Sequence, residues 1–594
     1  MKEKKPKLFV TFIFALSITT ILYIIARTPS ATGYEIDIYS IYPWYFWALI
    51  IGNLMMGSII IIFSRSRKKV TYGFYFVVIT NLILLGLQFF RRYFFYGGGD
   101  PFTHIGYVRD ILLTGYISPE NFYPFQHILI ANINATTNIP IEMSIRLLTI
   151  LFYILFVLSL YILLRKYSLP KFKYGLVLGT LLIFGPQYTS PLPNILSFFY
   201  FPLILFLLVK LESIPAKIRI NFALFLVALA IIFFHPITSL YLLGILIFFN
   251  MTNYFSRKVW YKGRSLPYLN ITILLTTGTW AFWHLGFTSI RMGIRRAIYS
   301  IFAEPGLNPK AEELIQAVGM FDVQFIDMVR KFIFDFGIVS ILFLMVLIYF
   351  IYMNIDRLKF KRFIKQREVL FLFLSVLLFA AWATINFFAD FVTFTRVFKF
   401  VILFSFLLMG FIFSFNISLK VNFAAIKHKN THSFVMVLLV TFILITSVFS
   451  LYPSSPSFSS NRQVSEQENE GMRWLFDVQN EGNLIWEEGI RQHRWGDFLY
   501  GRRGETRPGN LRREPNIPDH FGYDEYERMG ENYSGYLIKT EVAIMMYRTN
   551  FPEYEQFWRF NESSYEEFDR DDSVNKIYDN GFFSSYYIEE VDEQ

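Results

Sequence analysis

Apolar runs, each close to the roughly 20 residues that a helix needs to cross a bilayer, recur through the first three-quarters of the chain with short charged segments between them. Thirteen are predicted to span: near 8–26, 44–63, 71–90, 143–164, 173–188, 193–209, 219–234, 237–253, 267–289, 332–353, 369–388, 398–416 and 433–452. After residue 452 the pattern changes. "SEQENEGMRWLFDV" suits a helix with an acidic first turn, "GYLIKTEVAIMMYRT" contains strand-like runs, and "NKIYDNGFFSSYYIEE" places an Asn-Gly turn between alternating aromatic positions, as a hairpin does. The expected fold is mostly α: a polytopic membrane helical bundle of about 13 transmembrane helices over residues 1–452, followed by a mixed α/β domain over residues 453–594. "YPSSPSFSSN" (452–461) reads as the hinge between them.

Composition agrees with a membrane bundle rather than one very large soluble core. Of 594 residues, 54% are hydrophobic, 20% aromatic and only 17% charged. Charge is unevenly spread: residues 1–452 hold 41 Lys and Arg against 17 Asp and Glu, whereas residues 453–594 hold 15 against 29. The basic balance therefore belongs to the membrane part and the tail is acidic. No basic, aromatic-interleaved face stands apart from the helix-flanking loops, which excludes nucleic acid as the expected partner. The absence of Cys excludes disulfides and thiolate metal sites.

The positive-inside rule fixes an expected orientation. With the N-terminus cytoplasmic and the first apolar run retained as a helix, 28 of the 41 basic residues fall on inner segments, among them Arg65, Lys68, Arg257 and Lys361. An odd number of spans then sends loop 91–124, segment 290–331, loop 389–400 and the tail to the extracytoplasmic side. The expected location is the cell membrane, multi-pass.

The densest chemistry lies in "RRYFFYGGGDPFTHIGYVRDILLTG" (91–115). Asp100 followed by Pro101 predicts a helix start, with Asp100 as the N-cap and Pro101 in the first turn, and Gly115 its end. Ile105, Val108, Ile111 and Leu112 recur at helical spacing and predict a stripe lying on the membrane surface. Asp100 and His104 are four apart and share one face. Arg109, Asp110 and, beyond "NFYPFQ", His127 are the polar residues placed to line a cavity behind them.

An Asp in an early external loop just after a helix, a juxtamembrane helix behind it, many spans and a soluble external C-terminal part together resemble the C-type membrane glycosyltransferases, the GT-C superfamily. That group includes protein O-mannosyltransferases, aminoarabinose transferases and oligosaccharyltransferase catalytic subunits. "GGGDPFTHIGYVRDILLTGYI", "FFHPITSLYLLGI" and "SVNKIYDNGFFSSYYI" are most similar to archaeal-type members. The resemblance implies a transferase that takes a sugar from a polyprenyl (dolichyl) phosphate donor to a glycan, lipid or protein acceptor on the outer face, with Asp100 as general base and His104 beside it. Two departures stand out. The Asp loop follows the third predicted span rather than the first, and the oligosaccharyltransferase tail signature Trp-Trp-Asp-Tyr-Gly is missing, with only an echo in "HRWGDFLYG" (493–501). Monosaccharide transfer is the expectation.

Such chemistry needs a proton acceptor for the attacking hydroxyl and positive charge where the leaving phosphate gains charge. Arg396 and Lys399, three apart in the otherwise apolar "DFVTFTRVFKF", are the predicted phosphate-binding pair, because a cation at a helix mouth is costly unless satisfied. His235 at a His-Pro corner, Arg295 and Arg296 in amphipathic "RMGIRRAIYSIF", and Asp390 are further candidates for the cavity wall. No protein-only metal motif occurs; the metal site is unknown, and a Mg or Mn ion shared between carboxylate and donor phosphate is the cofactor that this chemistry allows. A multi-pass lipid or glycan transporter or flippase would also need many helices and cavity charges. It would be expected to show repeated halves and polar residues near the midplane, whereas here the ionisable groups cluster at helix ends.

Overall fold

The computed structural model describes residues 4–211, 217–260, 266–302, 333–355, 367–388, 394–413, 431–454, 459–509, 517–550 and 558–591, with a few single positions between these stretches. The chain opens with α1 (Lys4–Arg27), a short turn α2 (Ile38–Ile41), and the long pair α3 (Trp44–Phe63) and α4 (Arg67–Phe90). Strand β1 (Phe95–Tyr96) leads into α5 (Asp100–Thr114) and α6 (Pro124–Thr137). There follow α7 (Ile141–Arg165), α8 (Leu169–Thr180), α9 (Pro193–Phe198), α10 (Phe201–Leu211), α11 (Lys217–Phe234), α12 (Pro236–Trp260), α13 (Pro267–His284) and α14 (Thr288–Phe302). The remaining apolar helices described are α15 (Ile338–Ile355), α16 (Arg367–Phe388), α17 (Phe394–Ile412) and α18 (Thr431–Phe449).

Among the described residues, seven helices are long and apolar enough to cross a membrane, and two shorter apolar helices cover 218–234 and 436–449. The architecture is therefore a multi-pass helical bundle. At one departure from the predicted spans, proline is the cause. The run near 173–188 is helical only to Thr180 and continues as a 3-10 turn at Gly185–Thr189. Pro186, Pro191 and Pro193 each lack the N–H that an α-helix would use. The helices approach closely where side chains are absent: a Cβ on Gly73 of α4 would stand 2.7 Å from the carbonyl oxygen of Gly57 on α3. Between helices without a hydrophobic driving force, such small-residue contacts supply the packing.

The tail begins with β2 (Gln463–Val464) and α19 (Glu466–Val478), whose first turn is closed by Ser465 and Glu468 acting reciprocally as a capping box. Then come β3 (Ile485–Glu487), α20 (Gln492–Tyr500), β4 (Gly535–Thr540), α21 (Glu541–Asn550), α22 (Glu562–Arg570), β5 (Val574–Asp579) and β6 (Phe583–Ile588). The sheet order is β3-β4-β6-β5, with β3 parallel to β4 and the other pairs antiparallel. The Asn-Gly hairpin forms as expected. The second half of "GYLIKTEVAIMMYRT" does not extend the strand, because after Thr540 the run Glu-Val-Ala-Ile-Met-Met is dominated by good helix formers and folds as α21.

Segment 452–461, expected to act as a hinge, is pinned in its described residues. The Tyr452 hydroxyl donates to the Leu84 carbonyl (2.7 Å), its backbone N–H donates to the Tyr39 hydroxyl (3.0 Å), and Asn461 donates to the Glu35 carbonyl (2.8 Å). β2 pairs antiparallel with β1, joining Phe95 to Val464. One apolar cluster runs without a break from the helices through Phe95 and Phe102 to Trp495, Phe498 and Phe583, and a second, around Phe521, Leu537 and Phe568, lies inside the tail.

Candidate functional site

α5 carries the predicted acid, but not as a cap. Gly99, at φ +80°, is the N-cap, and Asp100 is the first helical residue with Pro101 after it. The carboxylate is thereby released from backbone duty. Its side chain is 60% exposed, and Oδ1 accepts a 2.7 Å hydrogen bond from Nη2 of Arg494, a tail residue on α20. Oδ2 has no protein partner among the described residues. Arg494 also donates to the Thr103 hydroxyl, which donates onward to Asp497 (2.7 Å), and Asp497 accepts from Arg507 (3.1 Å). Loop 98–100 and tail residues 489–494 face each other across an open cleft of about 530 Å³ with Asp100 on its wall.

The seam between α5 and α20 explains why the acid stands there. Phe102 meets Trp495 edge-on at 4.7 Å and Phe498 at 4.4 Å. Gly106 lies against the tail backbone, where a Cβ would fall 2.7 Å from the Asp497 carbonyl oxygen. Ile105 and Val108 are fully buried, Ile111 is half-buried and Leu112 is exposed, so only the first half of the apolar stripe expected on the membrane surface is covered by protein. Arg109 and Asp110 are locks in this seam. Arg109 donates to the Phe498 carbonyl (2.5 Å) and pairs with Glu142 at 2.8 Å, while Asp110 accepts the Arg503 backbone N–H at 3.2 Å. Burial pushes the Asp110 carboxyl up and the Arg109 guanidinium down.

Gly106→Ala is expected to cost about 1–3 kcal/mol by overpacking, because a backbone carbonyl cannot swing aside as a flexible side chain would. Thermal unfolding of the purified chain in detergent checks this. The Glu487 carboxylate receives the Gln492 backbone N–H at the start of α20, and burial raises its pKa from 4.5 to about 8. The native state thus keeps a proton that the unfolded chain releases, so its contribution is complete below pH 4.5 and lost as pH rises through about 8. Glu487→Gln is expected to flatten the fall in melting temperature between pH 5 and pH 9; a profile parallel to the parent's would refute it.

Beneath Asp100, His104 and His127 are buried, their rings joined by a 2.9 Å hydrogen bond between Nδ1 of His104 and Nε2 of His127. His235, at the corner between α11 and α12, stacks on Tyr123 at 6.3 Å. Lys399 is already engaged: its ammonium donates to the Asn194 carbonyl (2.7 Å) and sits over the Phe198 ring (5.2 Å). Arg396 is half-buried. Arg295 and Arg296 are exposed on α14, and none of the contacts described reaches from them to Asp100. Asp390 lies outside the described residues.

Arg494, Thr103, Asp497 and Arg507 were not singled out by the sequence. The signal was "HRWGDFLYG", the faint echo of a family tail signature, which folds as α20 and delivers both Arg494 and Asp497 to the Asp100 helix. Among the described residues no three His, Asp or Glu gather as metal ligands do. Among the described residues Asp100 is the one carboxylate in the cleft wall, paired on one oxygen with the Arg494 guanidinium.

Fold and site together define a multi-pass helical membrane protein with an acid–base cleft formed between a loop helix and a C-terminal domain. No family model and no curated protein matches the sequence. Solved structures do resemble it. The oligosaccharyltransferase of Archaeoglobus fulgidus, in complex with Zn and sulfate, is 10% identical, with a TM-score of 0.46 over 86% of this chain and 73% of that one. ArnT from Cupriavidus metallidurans bound to undecaprenyl phosphate is 10% identical, with a TM-score of 0.45 over 88% and 98%. Arabinofuranosyltransferase AftD from Mycobacteria is 10% identical, with a TM-score of 0.43 over 90% of this chain and 40% of that one.

Proposed function

We propose that the chain is a membrane glycosyltransferase that moves a sugar from a polyprenyl (dolichyl) phosphate donor to an acceptor on the outer face of the membrane, with Asp100 as general base. The observation that carries this reading is the Asp100 carboxylate itself: exposed at a cleft beside the bundle, steadied on one oxygen by Arg494, and open on the other. An acceptor hydroxyl attacks the anomeric carbon, its proton passes to Asp100 Oδ2, and the bond from the anomeric carbon to the phosphate oxygen breaks, leaving the electron pair on the phosphate. Proton removal by a positioned carboxylate contributes about 10²–10⁴-fold. Arg396 is the residue assigned to supply charge for the leaving phosphate. No step is routed through a Mg or Mn ion.

The orientation implied by the charge distribution, thirteen spans with the N-terminus in the cytoplasm, puts this cleft and the tail outside. The full-length protein in liposomes, given polyprenyl-phosphate hexoses and pentoses with saccharide acceptors, should release polyprenyl phosphate and form a glycosidic product. Movement of intact donor lipid between leaflets without cleavage would identify a flippase instead.

A further inference from the structure

His104 Nδ1 and His127 Nε2 lie 2.9 Å apart, and the other nitrogen of His127, Nδ1, lies 3.1 Å from Oδ1 of Asn121. All three residues are at most 5% exposed. Burial holds His104 down at about 4 and His127 below its ordinary value, so each ring is neutral and carries one N–H. With the Asn121 amide oxygen towards His127, His127 donates from Nδ1; its Nε2 then accepts, His104 donates from Nδ1, and the lone pair of His104 is left on Nε2. That nitrogen has no protein partner among the described residues, and it is not among the buried polar atoms sealed without one. Tyr107 stacks on His127 at 5.0 Å and Tyr123 packs against His104 at 5.4 Å, so neither ring is free to turn over.

We propose that Asn121 and His127 are positioning residues that hold His104 in its Nδ1–H form, so that Nε2 offers a hydrogen-bond acceptor one helical turn behind Asp100 for a hydroxyl of the sugar acceptor. This rests on the transferase reading. The substrate class it names is a polyhydroxylated acceptor, gripped at a second hydroxyl by His104 while Asp100 deprotonates the first.

Two measurements test it separately. Nitrogen-15 NMR of the full-length protein labelled at histidine, with His104 assigned by its loss in His104→Gln, should show a bare Nε2 and a protonated Nδ1 at neutral pH. A protonated Nε2 in the parent overturns the proposal whatever the activity. In the transfer assay, His127→Phe should raise KM for the saccharide acceptor about five- to tenfold, the worth of one hydrogen bond, and leave KM for the polyprenyl-phosphate sugar unchanged. His127→Gln, whose side-chain oxygen still accepts from His104, should restore it. Acceptor KM unchanged in His127→Phe, or equally raised in both variants, overturns the positioning role. If His127→Phe does not fold, Asn121→Leu is read by the same NMR signature, and an unmoved tautomer counts against the proposal. Should the parent transfer no sugar at all, the enzyme assignment falls while the NMR result still decides the tautomer.

Discussion

Asparagine at position 100 is expected to reduce sugar transfer by about 10²–10⁴-fold, the usual contribution of a positioned base, and to leave the fold intact. The amide is isosteric and its oxygen still accepts from Arg494, so the contact between α5 and α20 survives. What disappears is the ability to take a proton on the second oxygen. Labelled polyprenyl-phosphate sugar in proteoliposomes measures the rate, and the melting temperature of the same preparation separates lost chemistry from lost structure. A parent-like rate in a correctly folded variant would remove Asp100 from the mechanism. Arg494→Gln is the companion experiment: freeing the carboxylate from its guanidinium changes its alignment but leaves the base in place, so a smaller loss than for Asp100→Asn is expected.

The largest effect on stability is expected at Glu35. Its carboxylate accepts two hydrogen bonds from Arg91 and one from the Tyr93 hydroxyl (2.6 Å), its backbone N–H donates to Gln463 (2.8 Å), and its carbonyl accepts from Asn461 (2.8 Å). The Arg91 and Glu35 side chains are only 4% and 11% exposed. Removing one partner of a buried pair leaves the other charge uncompensated, at a cost of about 3–5 kcal/mol. Glu35→Ala is therefore expected to lower the melting temperature by several degrees and to loosen the β1–β2 pairing that ties the tail to the loop. Glu35→Ala combined with Arg91→Met should recover much of the loss, since no unpaired charge then remains. If the double variant is as unstable as the single one, the uncompensated charge is not the cause.

Legibility varied from element to element for physical reasons. The span helices could be read because a bilayer imposes length and apolarity on each residue run by itself. The Asn-Gly hairpin and the helix after Ser465 were equally local, since a turn residue and a capping box act over four positions. α8 was overestimated because hydropathy does not register the missing N–H of the prolines that follow it. The face of α5 was read as amphipathic, correctly, but the partner of its first half was taken to be lipid. Periodicity says that an apolar stripe must be covered, and is silent about what covers it.

The candidate site divides along the same line. By itself the sequence determined a many-helix membrane chain, an acidic mixed tail, and an acid and a histidine on one face of a helix opening after three glycines, because hydropathy, charge and i, i+4 spacing are properties of neighbours along the chain. Only the tertiary structure decided that Arg494, nearly four hundred residues away, steadies Asp100, that His127 and Asn121 aim His104, and that Lys399 is already occupied by a carbonyl. Each of those depends on a distance between side chains remote in sequence, and such distances are set by how the α5–α20 seam and the bundle pack against each other.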